Sequence, residues 1–123
     1  MRQISPNFKS LNINETQVML KNNIPMIDIR RKNEWGSSGI IKNAHTLAFF
    51  TMFGTYDLGK WLKEFTKVVP SKDKAFILTC ASANRTKVLA NILQGEGYTN
   101  ICELDCGMGG WLRNGNEVVA YED

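Results

Sequence analysis

The sequence predicts an α/β fold, a mainly parallel sheet covered by helices on both faces. Short apolar runs without polar alternation read as strands buried on both sides, and the segments between them carry apolar residues at helical spacing. Proline or glycine at the joins marks where elements stop. With 123 residues, 43% hydrophobic and 22% charged, the chain has the size of a single domain, residues 1–123, and an ordinary globular composition. It shows no internal repeat, low-complexity tract or linker-like change in composition.

The first helix is expected to start at Asn14-Glu15-Thr16-Gln17, with Asn14 as N-cap and Gln17 reaching back from three residues on. It should carry Val18 and Leu20 and end near Asn22-Asn23, before Pro25. Met26-Ile27-Asp28-Ile29 reads as a short strand, followed by a polar loop containing glycine and serine and a second strand around Ala44–Leu47. Asp57 is placed to cap a helix whose Leu58, Trp61, Leu62 and Phe65 share a face, ending before Pro70. Ser71-Lys72-Asp73-Lys74 is a turn, Ala75–Thr79 a strand, and Thr86–Gln94 a helix that stops at Gly95 and Gly97. Asn100–Leu104 reads as the last strand, before a glycine-rich turn and a short terminal helix with Trp111.

The strand Ala75-Phe76-Ile77-Leu78-Thr79 delivers the most informative segment, the loop Cys80-Ala81-Ser82-Ala83-Asn84-Arg85. A thiol at the end of a buried strand, facing a helix N-terminus and a guanidinium, sits where free N–H groups and the helix dipole favour an anion. Such a setting favours the thiolate, which is the nucleophile. Arg85 can fork two hydrogen bonds onto an oxyanion, or close the loop by tying its fork to loop carbonyls or a carboxylate. In a parallel sheet, ligands bind beyond the carboxyl ends of the strands, which is where Cys80 falls.

Four residues separate Cys80 from Arg85. Cysteine-dependent phosphatases resemble this arrangement but use five, so the tighter loop argues against phosphoryl chemistry and for a sulfur atom carried on the cysteine. The loop resembles that of the rhodanese (sulfurtransferase) domains, and the resemblance covers most of the chain. Ile27-Asp28-Ile29-Arg30, Glu34-Trp35 and Gly39-Ile40-Ile41-Lys42-Asn43-Ala44 resemble the family's early signature. Leu93, Gly97-Tyr98 and Ile101 fit the stretch after the active loop, while Leu104 and Gly107-Met108-Gly109-Gly110-Trp111 look like its closing motif.

The resemblance implies a five-stranded rhodanese-like sheet and a catalytic Cys80 that takes sulfane sulfur from thiosulfate or a persulfide and passes it to cyanide or a thiol. Backbone N–H groups of Ala81, Ser82, Ala83, Asn84, Arg85 and Thr86 would hold the terminal sulfur, with the Ser82 and Thr86 hydroxyls as further donors. Ala81 stands where the family often has arginine, which lessens the expectation that thiosulfate is the preferred donor. Ala83 stands where glycine is frequent, which matters if the position needs a positive φ. Asp28, Arg30 and Glu34 are read as a bracing network behind the site rather than as catalysts. No metal or organic cofactor is implied; the partners are a small sulfur anion or persulfide donor and a thiol or protein acceptor.

His45 has no base partner in the sequence, and the family's frequent histidine is Ile40 here; His45 is read as structural or exposed. Phe49, Phe50, Met52 and Phe53 form an apolar cluster that either packs the core or walls the mouth above Cys80. Trp35, Trp61 and Trp111 are read as core. Cys106 stands where the family often has glycine, either filling a tight turn or serving as a redox partner of Cys80. Cys102 is expected to be buried and silent.

The net charge of +3 is mild and the basic residues are scattered, so neither nucleic acid nor a membrane surface is expected as partner. No apolar stretch reaches transmembrane length, and Met1-Arg2-Gln3-Ile4-Ser5-Pro6-Asn7-Phe8-Lys9 lacks the apolar core of a secretory signal, making the cytoplasm the default location. The three cysteines form no C-x-x-C and argue against a disulfide framework or zinc site. A sulfurtransferase therefore leads. The alternatives are a rhodanese-like binding module, a phosphatase or arsenate reductase on the same fold, and a thiol-redox protein pairing Cys80 with Cys106.

Overall fold

In the computed structural model, which describes residues 8–122, the elements alternate along the chain. They are β1 (Phe8–Leu11), α1 (Ile13–Lys21), β2 (Met26–Asp28), α2 (Lys32–Ser38), β3 (His45–Thr46), α3 (Leu58–Val68), β4 (Phe76–Thr79), α4 (Asn84–Gly95), β5 (Ile101–Leu104) and α5 (Gly107–Arg113). The five strands form one sheet in the order β1-β5-β4-β2-β3, and every pairing is parallel. The segment read for a secretory signal lies, up to residue 7, outside the described residues. No helix among the described residues is long and apolar enough to cross a membrane.

The sheet separates two cores, as its near-continuous apolar strands require. On one face Ile27, Phe65, Phe76, Leu78, Leu89 and Leu93 pack beneath α3 and α4. On the other, Leu11, Met26, Ile77, Leu104, Met108 and Trp111 pack beneath α1 and α5. Successive residues of β4 and β5 alternate between these cores. Thus Leu78 and, two residues on, Cys80 face α3 and α4, while Ile77 and Cys102 face the other way. All three tryptophans are buried, as expected for core residues.

Two elements were not visible in the sequence, and one cap is shifted. Strand β1 has no apolar run; it is an edge strand whose Ser10 and Leu11 pair with Glu103 and Leu104. Helix α2 replaces the expected polar loop. Its serines and glycine are poor helix formers, and only Trp35 is buried. It is held from outside: the Glu34 carboxylate accepts from the Arg31 N–H at 3.0 Å, and Arg30 donates to Ser38 Oγ at 2.6 Å and to the Gly39 carbonyl at 2.8 Å. Helix α1 is capped by Asn12, not Asn14. Asn12 accepts from the Glu15 N–H at 2.8 Å and its own N–H donates to Glu15 Oε1 at 2.9 Å, a closed capping box. Gln17 instead donates to Asn116 at 2.9 Å, and Val18 is 58% exposed. Helix α3 starts as expected, Asp57 accepting from the Lys60 N–H at 3.1 Å.

Candidate active site

Cys80 follows the central strand β4 directly, and its residue is 1% exposed. The expected six-residue loop is shorter in the structure. Only Cys80, Ala81, Ser82 and Ala83 are irregular; Asn84, Arg85 and Thr86 form the first turn of α4, two residues earlier than the sequence suggested. Tertiary anchoring of this turn overrides the weak helix preference of Asn84. The backbone N–H groups of Ala81 through Thr86 donate to no other group among the described residues. Ala83 and Thr86 are buried and Ala81 and Arg85 half-buried, and amides so placed seldom stay unpaired in folded chains. Here they form a run beside a thiol at the positive end of a helix.

The turn is made by Ala83, which is buried and left-handed at φ 71°, ψ 0°. Glycine adopts that conformation freely, whereas alanine is disfavoured by about 1–2 kcal/mol. Left-handed and right-handed residues in succession point their N–H groups into one concavity, an anion-binding nest. Replacing Ala83 with glycine relieves the strain but removes a buried methyl worth about 0.8 kcal/mol. Ala83→Gly is therefore expected to raise stability by about 0.5 kcal/mol, read as a higher urea midpoint with an unchanged m value.

From the far side the loop is clasped by α5. The Met108 N–H donates to the Cys80 carbonyl at 2.7 Å, and the Gly109 N–H donates to the Ala81 carbonyl at 2.9 Å. Gly107 makes that approach possible: at φ +63°, a Cβ there would lie 2.5 Å from the Ala81 oxygen and 2.8 Å from the Cys80 oxygen.

Arg85 does not reach into the cradle. Its guanidinium forms a bidentate pair with Glu34 of α2, at 2.8 and 2.7 Å. Arg85 holds the Glu34 carboxyl down at about 2, with the Arg31 backbone contributing, against the opposing effect of burial. Glu34 in turn raises Arg85, and the nearby Cys80 and Asp28 add to this. Of the two roles open to Arg85 in the sequence, closure of the loop onto a carboxylate is the one in the structure.

Behind this pair, Arg30 Nε and Nη2 grip both Asp28 oxygens at 2.9 and 2.7 Å, both residues being buried. Arg30 also contacts the Glu34 carbonyl at 3.4 Å. Asp28, Arg30, Glu34 and Arg85 thus form one connected brace from β2 through α2 to the first turn of α4.

Thr86 is buried between the thiol and a carboxylate. Its hydroxyl lies 3.8 Å from Cys80 Sγ, 3.0 Å from the Ala83 carbonyl and 2.7 Å from Glu103 Oε1. Glu103, fully buried in β5, also meets the Ser10 hydroxyl and the Lys87 ammonium. Sequence reasoning missed Glu103; the signal was a lone carboxylate inside the apolar run Ile101–Leu104. Ser82 is exposed and accepts from Asn84 at 3.2 Å.

Cys106 packs against the core under α1 and α5, whereas Cys80 belongs to the core under α3 and α4. Burial, with help from Asp105, pushes the Cys106 thiol up, and burial does the same for Cys102. His45 is exposed in the edge strand β3. The apolar cluster divides: Phe49 is core, while Met52 and Phe53 are 75% and 85% exposed. Phe50 and Met52 line a cleft of about 340 Å³ shared with Arg31, Asn84, Arg85 and Val88, beside the loop.

A family model for the rhodanese-like domain matches residues 12–114. The uncharacterized protein RP600 of Rickettsia prowazekii (strain Madrid E) is 28% identical over 97 residues, which is 76% of each chain. The fold superposes on the polysulfide-sulfur transferase of Wolinella succinogenes with a TM-score of 0.71 at 22% identity, covering 94% of this chain and 81% of that one. It superposes on the thiosulfate sulfurtransferase of Pseudomonas aeruginosa with a TM-score of 0.74 at 19% identity, covering 94% of this chain but only 21% of that one.

Proposed function

The chain belongs to the rhodanese-like domain family, and from that premise we propose that it is a sulfurtransferase carrying sulfane sulfur on Cys80 as a persulfide. The observation that supports this most is the run of unpaired amides from Ala81 to Thr86 beside a buried thiol. A negatively charged terminal sulfur is the ligand such a short nest suits, and stabilising charge that appears during the reaction is where preorganised amides contribute most. The names of two structural neighbours, a polysulfide-sulfur transferase and a thiosulfate sulfurtransferase, agree with this chemistry.

In the first half-reaction the Cys80 thiolate attacks the outer sulfur of the donor. The donor S–S bond breaks, and sulfite (from thiosulfate) or a thiolate (from a persulfide) leaves with the electron pair. In the second, cyanide or an acceptor thiolate attacks the terminal sulfur, and the Cys80 thiolate leaves. Arg85 and Glu34 hold the cradle in place, and Asp28 and Arg30 hold Glu34. Three free thiols suit a reducing, cytoplasmic setting.

This relay gives ping-pong kinetics. Initial rates with a persulfide or thiosulfate donor and cyanide or a thiol acceptor should give parallel double-reciprocal lines. Intersecting lines, or release of phosphate from an aryl phosphate at a comparable rate, would sink the reading.

With alanine at position 81, no loop side chain except Arg85 offers a cation to a dianionic donor, and Arg85 is engaged by Glu34. A persulfide is therefore the favoured donor. Ala81→Arg is expected to raise kcat/KM for thiosulfate by about tenfold, the worth of one charge-assisted hydrogen bond, while leaving the persulfide reaction little changed. Equal gains with both donors would contradict this donor assignment.

A further inference from the structure

A hydroxyl, a carboxylate and an ammonium group stand in line behind Cys80. The register pairs Leu78 with Glu103, so Glu103 points to the same face of the sheet as Cys80. Thr86, from the first turn of α4, closes the gap between the two. The Thr86 hydroxyl has one proton to give. Its two short contacts, the Glu103 carboxylate at 2.7 Å and the Ala83 carbonyl at 3.0 Å, are both acceptors. Glu103 is kept an acceptor by the Lys87 ammonium and the Ser10 hydroxyl on its other oxygen. The proton of Thr86 is thus directed away from the sulfur, and what Thr86 presents to Cys80 across 3.8 Å is a lone pair. A lone pair accepts from a thiol S–H and repels a thiolate.

We propose that Glu103 is a positioning residue which, by holding the Thr86 proton, withholds one hydrogen bond from the Cys80 thiolate and so offsets part of the stabilisation that the helix N-terminus and its amides give that thiolate. The inference rests on Cys80 being the sulfur-carrying nucleophile. In the persulfide, Sγ is bonded to a second sulfur and carries no charge; the negative charge moves to the terminal sulfur and its nest of amides. The same wiring leaves the thiolate less stabilised than the amides alone would make it, and so more nucleophilic, since nucleophilicity falls as a thiolate is stabilised. One buried carboxylate thereby biases both half-reactions toward the loaded enzyme.

The charged groups around this chain are Lys87 beside Glu103, Arg85 beside Cys80, and Glu34 and Asp28 behind Arg85; β1 supplies the Ser10 hydroxyl. Of the charged groups among the described residues, only the Glu103 carboxylate contacts Thr86. Removing its charge frees the hydroxyl proton to turn toward sulfur; removing the Lys87 charge leaves a buried carboxylate without its ammonium partner, favours its protonated form and frees the Thr86 proton in the same way. The two changes act in the same direction.

The test is ultraviolet thiolate absorbance against pH in a chain with Cys102 and Cys106 replaced by serine, so that Cys80 alone reports and no sulfur donor is involved. Glu103→Gln is expected to raise the Cys80 thiolate fraction near neutral pH by about three- to tenfold, and Lys87→Met, which leaves Glu103 in place, to raise it by about twofold. On a Thr86→Val background most of the Glu103→Gln effect disappears. Unchanged absorbance in both variants, or shifts of the opposite sign, would overturn the proposal. Failure of the wild type to take up sulfur from a donor would count against the persulfide reading alone, because this readout does not pass through sulfur uptake.

Discussion

Gly107→Ala is expected to cost about 3–5 kcal/mol and to disable the cradle without touching a reacting group. Alanine at φ +63° carries about 1–2 kcal/mol of backbone strain. Its Cβ would also stand 2.5 Å from the Ala81 oxygen and 2.8 Å from the Cys80 oxygen, and both are backbone atoms that cannot rotate away. Helix α5 must therefore back off, and the bonds from Met108 and Gly109 to the Cys80 and Ala81 carbonyls break. Each of these two carbonyls left unpaired adds about 1–1.5 kcal/mol, the low end of the range because Ala81 is only half-buried. Gly115 is a matched control. It has φ +73° with nothing within 4 Å of a built Cβ, so Gly115→Ala should cost about 1 kcal/mol from strain alone. Urea denaturation of the two variants checks the difference; equal losses would show that the clasp does not hold the loop.

Arg85→Ala is expected to lower sulfur-transfer kcat/KM by about 100-fold, although Arg85 is engaged with Glu34 and not with the cradle. Loss of the fork releases the first turn of α4 from α2, and displacing a preorganised site by about 1 Å costs that much. Arg85→Lys should fall most of the way too, because an ammonium cannot make the planar bidentate contact.

The pair also predicts an acid limb of stability. Glu34 is held at about 2 in the folded chain, against 4.5 ordinarily. A depressed carboxylate contributes stability that is present above its unfolded value and lost as pH falls through its folded one. The wild type should therefore lose about 1–2 kcal/mol from this pair between roughly pH 4.5 and 2, solvent screening of a partly exposed pair being allowed for. Arg85→Ala should flatten that part of the curve. Parallel wild-type and variant curves across the window would show that the pair does not set it.

What the sequence disclosed and what it hid divide by the distance over which each feature is assembled. Cys80, the nest and Arg85 lie within one strand-turn-helix segment, and their chemistry follows from adjacency. The amphipathic α3 with its Asp57 cap, and the apolar β4 and β5, were equally local. By contrast, the Glu34 and Arg85 partnership spans 51 positions, and Ser10 meets Glu103 across 93. Strand β1 is polar because, at the sheet edge, it needs only one good neighbour. Helix α2 exists because Arg30, Arg31 and Glu34 staple a sequence that would not be helical alone. The shifted N-cap shows the same limit at short range: Asn12 and Asn14 both precede an acidic or amide residue by three positions, and only the observed start closes the reciprocal bonds with Glu15.

Ala81 and Ala83 show where departures from the family pattern have physical content. Ala83 keeps the left-handed geometry at some cost in strain. In the proposed reaction, Ala81 withholds a cation from the donor and leaves the amides as the chief means of holding the terminal sulfur.

The proposed sulfur relay is covalent, and intact mass reads it. Wild type and Cys80→Ala are incubated with a small persulfide or thiosulfate, weighed, then treated with cyanide. A gain of one sulfur atom is expected on the wild type, located to the Cys80 peptide, removed by cyanide and absent from the variant. No gain with either donor, or the same gain in Cys80→Ala, would contradict that relay.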